Sequence, residues 1–412
     1  MFRRIAIFAT LILLAFEAVA QNDTILVANK DSVVYRYTPI ENISPKSRRQ
    51  KNRENILRIL GGSNTDESFE RKVDMTFVPT LYYSPSTSAG LAVMAAGRYR
   101  IDKQNRTIPA SDFSVYATAS LTGFYRVGAR GCNIFKNDNQ RIIYNAEFYS
   151  MPTNFWGIGY DAAMTNSSVR YLASRTIVDA RFIQKVTTGL YLGVGADFNY
   201  HFGRFGGRRG FVAEGDFLAL IGSERVSYNA TGISLFLEFD TRDAISNPQR
   251  GVYLGVQAKV RPKGMNSVGR TLWMGRLSIN YYQRLWKGAV LAFDLQGELN
   301  SKGTPWVYNA ILGSAVRGYY AGRFNDLCAL SLQAELRQQI YKRFGAVAWG
   351  GAANVFSDFR SFAWNKTLPT YGIGLRYEIM NGVNVRLDYG FGGRDSRGKL
   401  IHGAVFSLNE AF

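Results

Sequence analysis

The most constraining feature of this chain is the alternation of apolar and polar side chains at successive residues from Ala289 to Asn300. The alternating residues are Leu291, Phe293 and Leu295 on one side and Asp294, Gln296 and Glu298 on the other. Because successive side chains of a β-strand point to opposite faces, one face of this segment is apolar and the other is charged. The segment from Leu330 to Ile340 repeats the pattern, which therefore predicts long strands with one apolar and one polar face.

Alternating segments of this kind, bounded by turn-forming residues, predict an all-β fold over residues 73–412. Most of them reach about ten residues or more, which is longer than the usual strand of a soluble protein. Their even number favours a sixteen-stranded antiparallel transmembrane β-barrel, with apolar side chains toward lipid and polar side chains toward the lumen. Residues 112–135 could instead form one bent strand. The predicted strands are 74–84, 88–101, 112–120, 124–135, 141–151, 168–183, 188–202, 228–240, 251–262, 270–285, 289–300, 327–342, 345–357, 369–380, 383–391 and 400–412.

The connections between these segments alternate between short and long. Residues 286–288 and 380–382 form short turns, whereas 152–167, 203–227 and 301–326 are long loops. In single-chain barrels the short turns face the periplasm and the long loops face the outside. We therefore expect both ends of the barrel domain to lie on the periplasmic side.

The N-terminus carries the features of an export signal. Arg3 and Arg4 precede an apolar run over residues 5–16, and Ala18-Val19-Ala20 ends in an A-x-A pattern. Residues 1–20 are therefore predicted to be a signal peptide, the alternative being a buried N-terminal helix. No later run of apolar residues is long enough for a spanning helix. Export together with a barrel predicts location in a bacterial outer membrane.

The composition narrows the expected partners. Aromatic residues make up 14% of the chain, as expected if rings lie at both membrane interfaces. The formal net charge is +19, which is typical of nucleic-acid binding, but an exported barrel does not meet nucleic acid. We therefore expect contacts with outer-membrane lipid and lipopolysaccharide. Cys132 and Cys328 lie in distant predicted strands, so no disulfide is expected, and two histidines give no convincing metal or cofactor site.

Several short motifs occur in a fixed order along the predicted barrel. They are Phe155-Trp156-Gly157-Ile158-Gly159, then Asp240-Thr241-Arg242-Asp243 with Pro248 and Gly251, then Val316-Arg317-Gly318-Tyr319, then Glu335-Leu336-Arg337, and finally Gly403, Phe406, Leu408 and Phe412. In this order they resemble the motifs of the BamA/TamA outer-membrane insertase superfamily, also called bacterial surface antigen barrels. The last group resembles the C-terminal signal by which such barrels are themselves inserted. The resemblance covers roughly residues 74–412.

The resemblance implies that the loop 301–326 folds back into the lumen and that Arg317 pairs with Glu335. A guanidinium in a narrow polar lumen requires a carboxylate partner, and its planar fork matches one. In the family an Asp on the next strand usually provides a second acceptor, but this sequence has Gly351 there. The candidates for a second acceptor are Asp294, Asp240 and Asp388. Alternatively, Arg317 could be an exposed loop residue.

The first interpretation of the segment from Asp240 to Gly251 is a structural corner between two strands. Asp240 and Asp243 can accept hydrogen bonds from nearby backbone, Pro248 fixes its own φ, and Gly251 allows the chain to begin a new strand. The other interpretation is that Arg242 and Asp243 contact a periplasmic partner.

Residues 21–72 are a polar extension before the first strand. The resemblance implies periplasmic POTRA domains at this place, but the segment is too short for one. It contains a basic patch over 46–53 and a short amphipathic stretch over 56–60. The extension could lie on the inner leaflet, plug the lumen, bind a helix of a partner, or be a disordered linker. Other outer-membrane proteins, periplasmic proteins or lipoproteins are the partners expected here.

Three classes of function remain at this point. The first is a barrel that assists assembly or translocation of proteins or lipids at the outer membrane through a lateral seam between its first and last strands. The second is a structural or accessory barrel of a larger complex. The third class is an enzyme, which is not expected, because neither His201 nor His402 lies in a recognisable pattern with a serine. The arginine loop would block much of the lumen of a simple porin.

Overall fold

The computed structural model describes most of the chain from residue 68 onward. The described residues are 68–69, 72–84, 88–103, 108, 110–207, 210–223, 225–243, 247–313, 316–380 and 383–408. The predicted signal peptide 1–20, nearly all of the extension 21–72, and Phe412 lie outside the described residues. Their predicted roles stay predictions.

Sixteen strands form one antiparallel sheet, and their order in the sheet is their order along the chain. Its members are β1 (Asp74–Ser84), β2 (Ser88–Tyr99), β3 (Ser111–Ser120), β4 (Tyr125–Ile134), β5 (Gln140–Phe155), β6 (Val169–Thr187), β7 (Leu190–Arg204), β8 (Ser227–Asp240), β9 (Gly251–Arg261), β10 (Leu272–Arg284), β11 (Ala289–Asn300), β14 (Cys328–Tyr341), β15 (Phe344–Phe356), β16 (Leu368–Met380), β17 (Val383–Arg394) and β18 (Leu400–Leu408). The predicted number of strands is confirmed. A separate two-stranded ladder joins β12 (Ala310–Ile311) and β13 (Asn325–Asp326).

The structure confirms the two strands predicted within residues 112–135 and extends two other strands beyond their predicted ends. Residues 112–135 form two paired strands, β3 and β4, so the alternative of one bent strand is wrong. Strand β5 continues to Phe155 instead of ending near residue 151, and β6 continues to Thr187. The alternation of apolar and polar residues in β5 stops at Pro152. The pairing of β5 with β6 continues beyond that point, and Pro152 is paired with Leu172.

The polar face of the sheet is buried and the apolar face is exposed. Leu332 and Leu375 are 52% and 62% exposed, whereas Asp294 and Glu335 are 2% and 0% exposed. Soluble proteins show the reverse, because charged side chains are almost never fully buried unless they are paired. The two faces are therefore arranged as expected for strands whose outer surface contacts lipid.

The sheet curves so that distant strands face one cavity. This cavity of about 780 Å³ is lined by side chains from β3, β5, β8, β11 and β14, among them Asp112, Arg141, Glu238, Asp294 and Ser331. Strands that are far apart in the sheet order thus approach each other across their polar faces.

Helices are short and lie in the connections. Helix α1 spans Gly159–Thr165 and helix α2 spans Glu214–Ile221; single 3-10 turns occupy Lys136–Asp138, Lys263–Met265, Trp306–Tyr308, Phe359–Ser361 and Trp364–Lys366. Within the described part of the chain, no helix has the length and apolarity needed to cross a membrane.

Because the strands are antiparallel, the connections fall at two opposite ends of the sheet. The end with the connections 156–168, 205–226, 301–327, 357–367 and 395–399 is called the loop end. The end with the connections 188–189, 241–250, 285–288 and 342–343 is called the turn end. The loop 301–327 and the corner 241–250 therefore lie at opposite ends of the strands.

The two faces can be distinguished by cysteine labelling. In a variant lacking Cys132 and Cys328, we expect Leu332→Cys to react readily with an apolar maleimide in detergent micelles. Its neighbour Ser331→Cys should react much more slowly, because Ser331 is only 5% exposed. Equal labelling at the two positions would contradict the assignment of the faces.

Candidate functional site

The described parts of the loop 301–327, residues 301–313 and 316–327, pack against the polar face of the sheet at several places. Its first part contributes Trp306 and Tyr308 to a buried aromatic cluster with Phe155, Tyr171 and Phe217. The Tyr308 hydroxyl donates a hydrogen bond to the Asn199 carbonyl oxygen at 3.1 Å. Burial raises the pKa of Tyr308 to about 12, which further favours the protonated hydroxyl that donates this bond. The first part of the loop is thereby fixed to β6 and β7.

The last part of the loop, residues 320–325, contacts the segment Phe155–Gly159 and helix α1. The Asn325 side chain donates to the Gly157 carbonyl oxygen at 3.1 Å, and the rings of Trp156 and Tyr320 lie 5.1 Å apart. The Arg323 Nε donates to a carbonyl oxygen of α1 at 3.0 Å. The motif Phe155–Gly159 thus contacts the loop through both backbone and ring contacts.

Arg317 lies at the centre of a buried ion-pair cluster, here called the arginine clamp. Its Nη2 lies 2.6 Å from Glu335 Oε2 on β14, and its Nη1 lies 2.9 Å from Asp388 Oδ2 on β17. Nη2 also donates to Gln333 Oε1 at 2.9 Å. Arg317 is 3% exposed, so the loop carries this guanidinium away from solvent, and the alternative of an exposed loop residue is excluded by the geometry.

The second acceptor comes from β17 rather than from β15. Of the three candidates, Asp388 contacts Arg317 directly, whereas Asp294 is linked to it only through Gln333, at 3.2 Å. Asp240 pairs with Arg242 in the turn-end corner. On β15 the Trp349 ring lies 3.9 Å from the guanidinium carbon, which places a cation–π contact near the position where the family has an Asp.

Three further arginines contact the two carboxylates of the arginine clamp. Arg337 Nε donates to Glu335 at 2.8 Å, Arg386 Nη2 donates to Asp388 at 3.2 Å, and Arg376 bonds to Asp388. Four arginines therefore share two carboxylates. Buried cations require nearby anions, so the stability of the cluster depends on the charges of Glu335 and Asp388.

Glycines let the loop backbone contact the last two strands directly. Gly318 has φ of +105°, which favours glycine. A Cβ on Gly390 of β17 would lie 2.6 Å from the Arg317 carbonyl carbon, and one on Gly392 would overlap the Tyr319 ring. The Tyr319 hydroxyl donates to the Pro369 carbonyl oxygen at 2.8 Å. The sequence analysis missed Gly390 and Gly392; their signal was glycine at alternate positions on the face that carries Asp388.

The residues of the predicted C-terminal signal are only partly described. Gly403 pairs with Gly390, and a Cβ on it would lie 3.4 Å from the Gly318 carbonyl oxygen. Phe406 and Leu408 lie in β18, paired with Leu387 and Val385. Gly403 thus faces the loop, and the role of this group in insertion stays a prediction.

The corner from Asp240 to Gly251 is fixed by local hydrogen bonds. Arg242 forms two bonds with Asp240, both at 2.8 Å, and Asp243 accepts from the backbone of Gln249 at 2.9 Å. Gly251 has φ of +112°, and a Cβ there would overlap the Thr241 carbonyl oxygen. Pro248 is fully buried. These contacts support a structural corner, while a partner contact by Arg242 or Asp243 stays a prediction.

The remaining polar candidates do not come together. His201 is buried 5.3 Å from the Trp306 ring, whereas His402 is exposed and bonds to the Tyr389 hydroxyl at 2.7 Å. Cys132 and Cys328 are both free. In the part of the chain that the structure describes, no group of three metal-binding side chains is present.

Glu335 contacts three arginines, whereas Arg317 contacts two carboxylates, which predicts an asymmetry between these two partners of the clamp. Glu335→Gln should lower the free energy of unfolding by about 3–5 kcal/mol, because it removes the charge of a carboxylate that three buried arginines share. Arg317→Gln should cost less, because it also removes repulsion between like charges. The measurement is urea unfolding in detergent. As a control, Arg276→Gln removes an exposed partner of Glu298 and should cost about 1 kcal/mol or less. A larger loss for Arg317→Gln than for Glu335→Gln would contradict the charge argument.

A second pair of variants tests the contact between the loop and β17. Gly390→Ala should destabilise the protein by about 1–3 kcal/mol, because the new methyl group overlaps the loop backbone. It should also expose 301–327 to limited proteolysis. Gly350→Ala on β15 is the matched control, because no atom lies within 4 Å of its added Cβ. If the two variants behave alike, the close approach is not important for stability.

Comparison with known proteins identifies the fold. No protein-family model matches the sequence, and no curated protein matches it either. The crystal structure of BamA from Haemophilus ducreyi lacking POTRA domains 1–3 is similar, with a TM-score of 0.55 and 11% identity over 82% of this chain and 70% of that chain. CdiB from Acinetobacter baumannii has a TM-score of 0.51 and 13% identity over 83% of this chain, which spans 60% of the CdiB chain. The chain therefore has the fold of BamA and CdiB, and the resemblance to the BamA/TamA superfamily is confirmed at the level of the fold.

Proposed function

We propose that this chain is an outer-membrane barrel that assists the assembly or translocation of proteins or lipids, with β1 and β18 as its working seam. The observation that carries the proposal is the arginine clamp, which attaches a long loop to β14 and β17. The loop occupies the polar side of the sheet, so free diffusion through a wide pore is not the function that this arrangement serves. The exposed apolar face supports a location in the bilayer.

The seam is proposed from the position and chemistry of the edge strands. Strands β1 and β18 stand at the two ends of the strand order. An open strand edge in lipid leaves backbone groups unsatisfied, so two such edges must meet each other or pair with a third strand. Pro79 in β1 cannot donate a backbone hydrogen bond, which weakens that edge. A substrate strand could then add to β1 or β18 by backbone pairing.

The second candidate is an accessory barrel within a larger complex. The observation that favours it is the connection 357–367 at the loop end, where Phe359 and Trp364 are 71% and 82% exposed. Large exposed rings of this kind are typical of protein contact surfaces. The extension 21–72 is a further proposed binding segment for periplasmic proteins or lipoproteins.

A disulfide across the seam separates the two candidates. In a variant without Cys132 and Cys328, one cysteine replaces Met75 or Phe77 on the exposed face of β1, and a second replaces His402 or Ala404 on the exposed face of β18; the pair that forms a disulfide on oxidation is used. Proteoliposomes containing the full chain are mixed with a urea-denatured outer-membrane barrel, whose folding rate is followed by its heat-dependent gel mobility. We expect the reduced protein to accelerate folding and the oxidised protein to lose this acceleration, with recovery on reduction.

The control lock joins two strands that are already paired. Leu375→Cys and Leu387→Cys lie directly opposite each other on β16 and β17, and both native side chains are exposed. Oxidation of this pair should leave the acceleration unchanged. A seam lock without effect would eliminate lateral opening. No acceleration in any redox state would leave the accessory role.

A further inference from the structure

The connection 357–367 at the loop end folds back over the apolar face of the sheet. Asn354 lies opposite the exposed Leu330 in the ladder of β14 and β15, so it is on this face as well, yet it is only 3% exposed. Its Nδ2 donates to the Ala363 carbonyl oxygen at 2.9 Å and to Thr367 Oγ1 at 3.2 Å. The connection therefore covers part of the outward side of β15.

Four aromatic side chains continue outward from this contact. The rings of Phe356 and Phe362 lie 5.4 Å apart in an edge-to-face arrangement, and Phe362 contacts Trp364 in the same way at 5.1 Å. Phe359 packs against Phe356 at 5.8 Å. Phe356 is buried, whereas Phe359 and Trp364 are 71% and 82% exposed. The inner rings thus support two outer rings that project from the protein.

The connection is held by local hydrogen bonds and an ion pair. Asp358 Oδ1 accepts from the backbone N–H groups of Arg360 and Ser361 at 2.9 and 3.0 Å, and the Ser361 hydroxyl oxygen accepts from the Asp358 N–H at 3.0 Å. Lys366 Nζ lies 2.5 Å from Asp161 Oδ2 on helix α1. The two outer rings are therefore positioned before they meet a partner, which reduces the entropy lost on binding.

The adjoining strands carry further rings on the apolar face near the loop end. Tyr371 of β16 and Phe391 of β17 stack at 5.7 Å, and Tyr389 lies 5.2 Å from Phe391. Tyr371 and Tyr389 are both exposed. Rings in this position form the interface belt of a transmembrane barrel. The rings of the connection are thus continuous with a surface that faces lipid.

The composition of the connection favours lipid over protein as the partner of its outer rings. Charged side chains lie close to the rings in sequence: Asp358 and Arg360 flank Phe359, and Lys366 follows shortly after Trp364. The core of a protein interface is depleted of charged residues. The boundary between lipid head groups and acyl chains accepts both kinds, because rings lie at the level of the head groups and long cationic side chains reach toward water.

We propose that the connection 357–367 is a membrane anchor, whose Phe359 and Trp364 rings insert into the leaflet at the loop end. The partner is a lipid surface, and the rings lie about 5–10 Å into the boundary between head groups and acyl chains. The inference rests on the membrane location in the proposed function, but it does not require the seam to open. The accessory role would instead place a protein against the same rings.

A fluorescent label beside the rings tests the anchor. In a variant without Cys132 and Cys328, Asn365→Cys is labelled with nitrobenzoxadiazole, and the purified protein is placed in phosphatidylcholine vesicles. Arg397→Cys, at another exposed position of the loop end, is the aqueous reference, and Leu375→Cys on the apolar face is the lipid reference. With iodide on both sides of the membrane, we expect severalfold weaker quenching at Asn365→Cys than at the aqueous reference. Nitroxide-labelled lipid should quench it as it quenches the lipid reference.

Removal of the rings should release the label. In the combined variant Phe359→Ser and Trp364→Ser, iodide quenching at Asn365→Cys should rise to the level of the aqueous reference. The matched control Trp273→Ser with Tyr281→Ser removes two exposed rings from the apolar face of β10, and the label should stay protected. Heat-dependent gel mobility checks that every variant is folded.

Strong iodide quenching at Asn365→Cys in the parent protein would overturn the proposal, as would protection that persists without the rings. If the label is open to iodide in vesicles but protected in isolated outer membranes, the rings contact a protein, as the accessory role requires. Iodide quenching at Leu375→Cys would overturn the membrane location and the anchor with it. Because no folding of a substrate barrel is measured, failure here is distinct from failure of the seam experiment.

Discussion

The contacts of Arg317 with Glu335 and Asp388 organise the interior of this protein. Transferring a guanidinium from water to a buried site costs several kcal/mol, and only well-placed carboxylates offset that cost. Glu335 and Asp388 lie on β14 and β17, two strands that are not neighbours, so one side chain of a loop links separate parts of the sheet. The path of the loop, the glycines of β17 and the occlusion of the polar side all depend on this link.

The arginine clamp and the exposed apolar face follow from the same constraint. A sheet that faces lipid on its outside must place its charges on the inside, where few water molecules can compensate them. Most interior cations meet an acid on a nearby strand, as Arg181 meets Glu238. In the clamp, four arginines contact the same two carboxylates, those of Glu335 and Asp388.

The strands could be predicted from sequence because alternation is a local signal with a period of two residues. The pair of Arg317 and Glu335 followed from a motif and from the face assigned to Glu335. Asp388 could not be singled out, since its contact with Arg317 joins residues 71 positions apart and depends on the curvature of the sheet. The role of Gly390 could not be predicted for a similar reason, because glycine at alternate positions on the face of Asp388 indicates a close contact only once the path of the loop over that face is known.

The contacts of the loop with the last two strands are unequal. Strand β17 contributes a carboxylate to Arg317 and a glycine under its backbone, whereas the described contact of β18 with Gly318 is the van der Waals approach of Gly403 at 3.4 Å. Displacement of β17 would therefore break a buried ion pair, whereas the described part of β18 makes no bond to Arg317. Among the described residues, the loop therefore holds the end of the sheet through its penultimate strand.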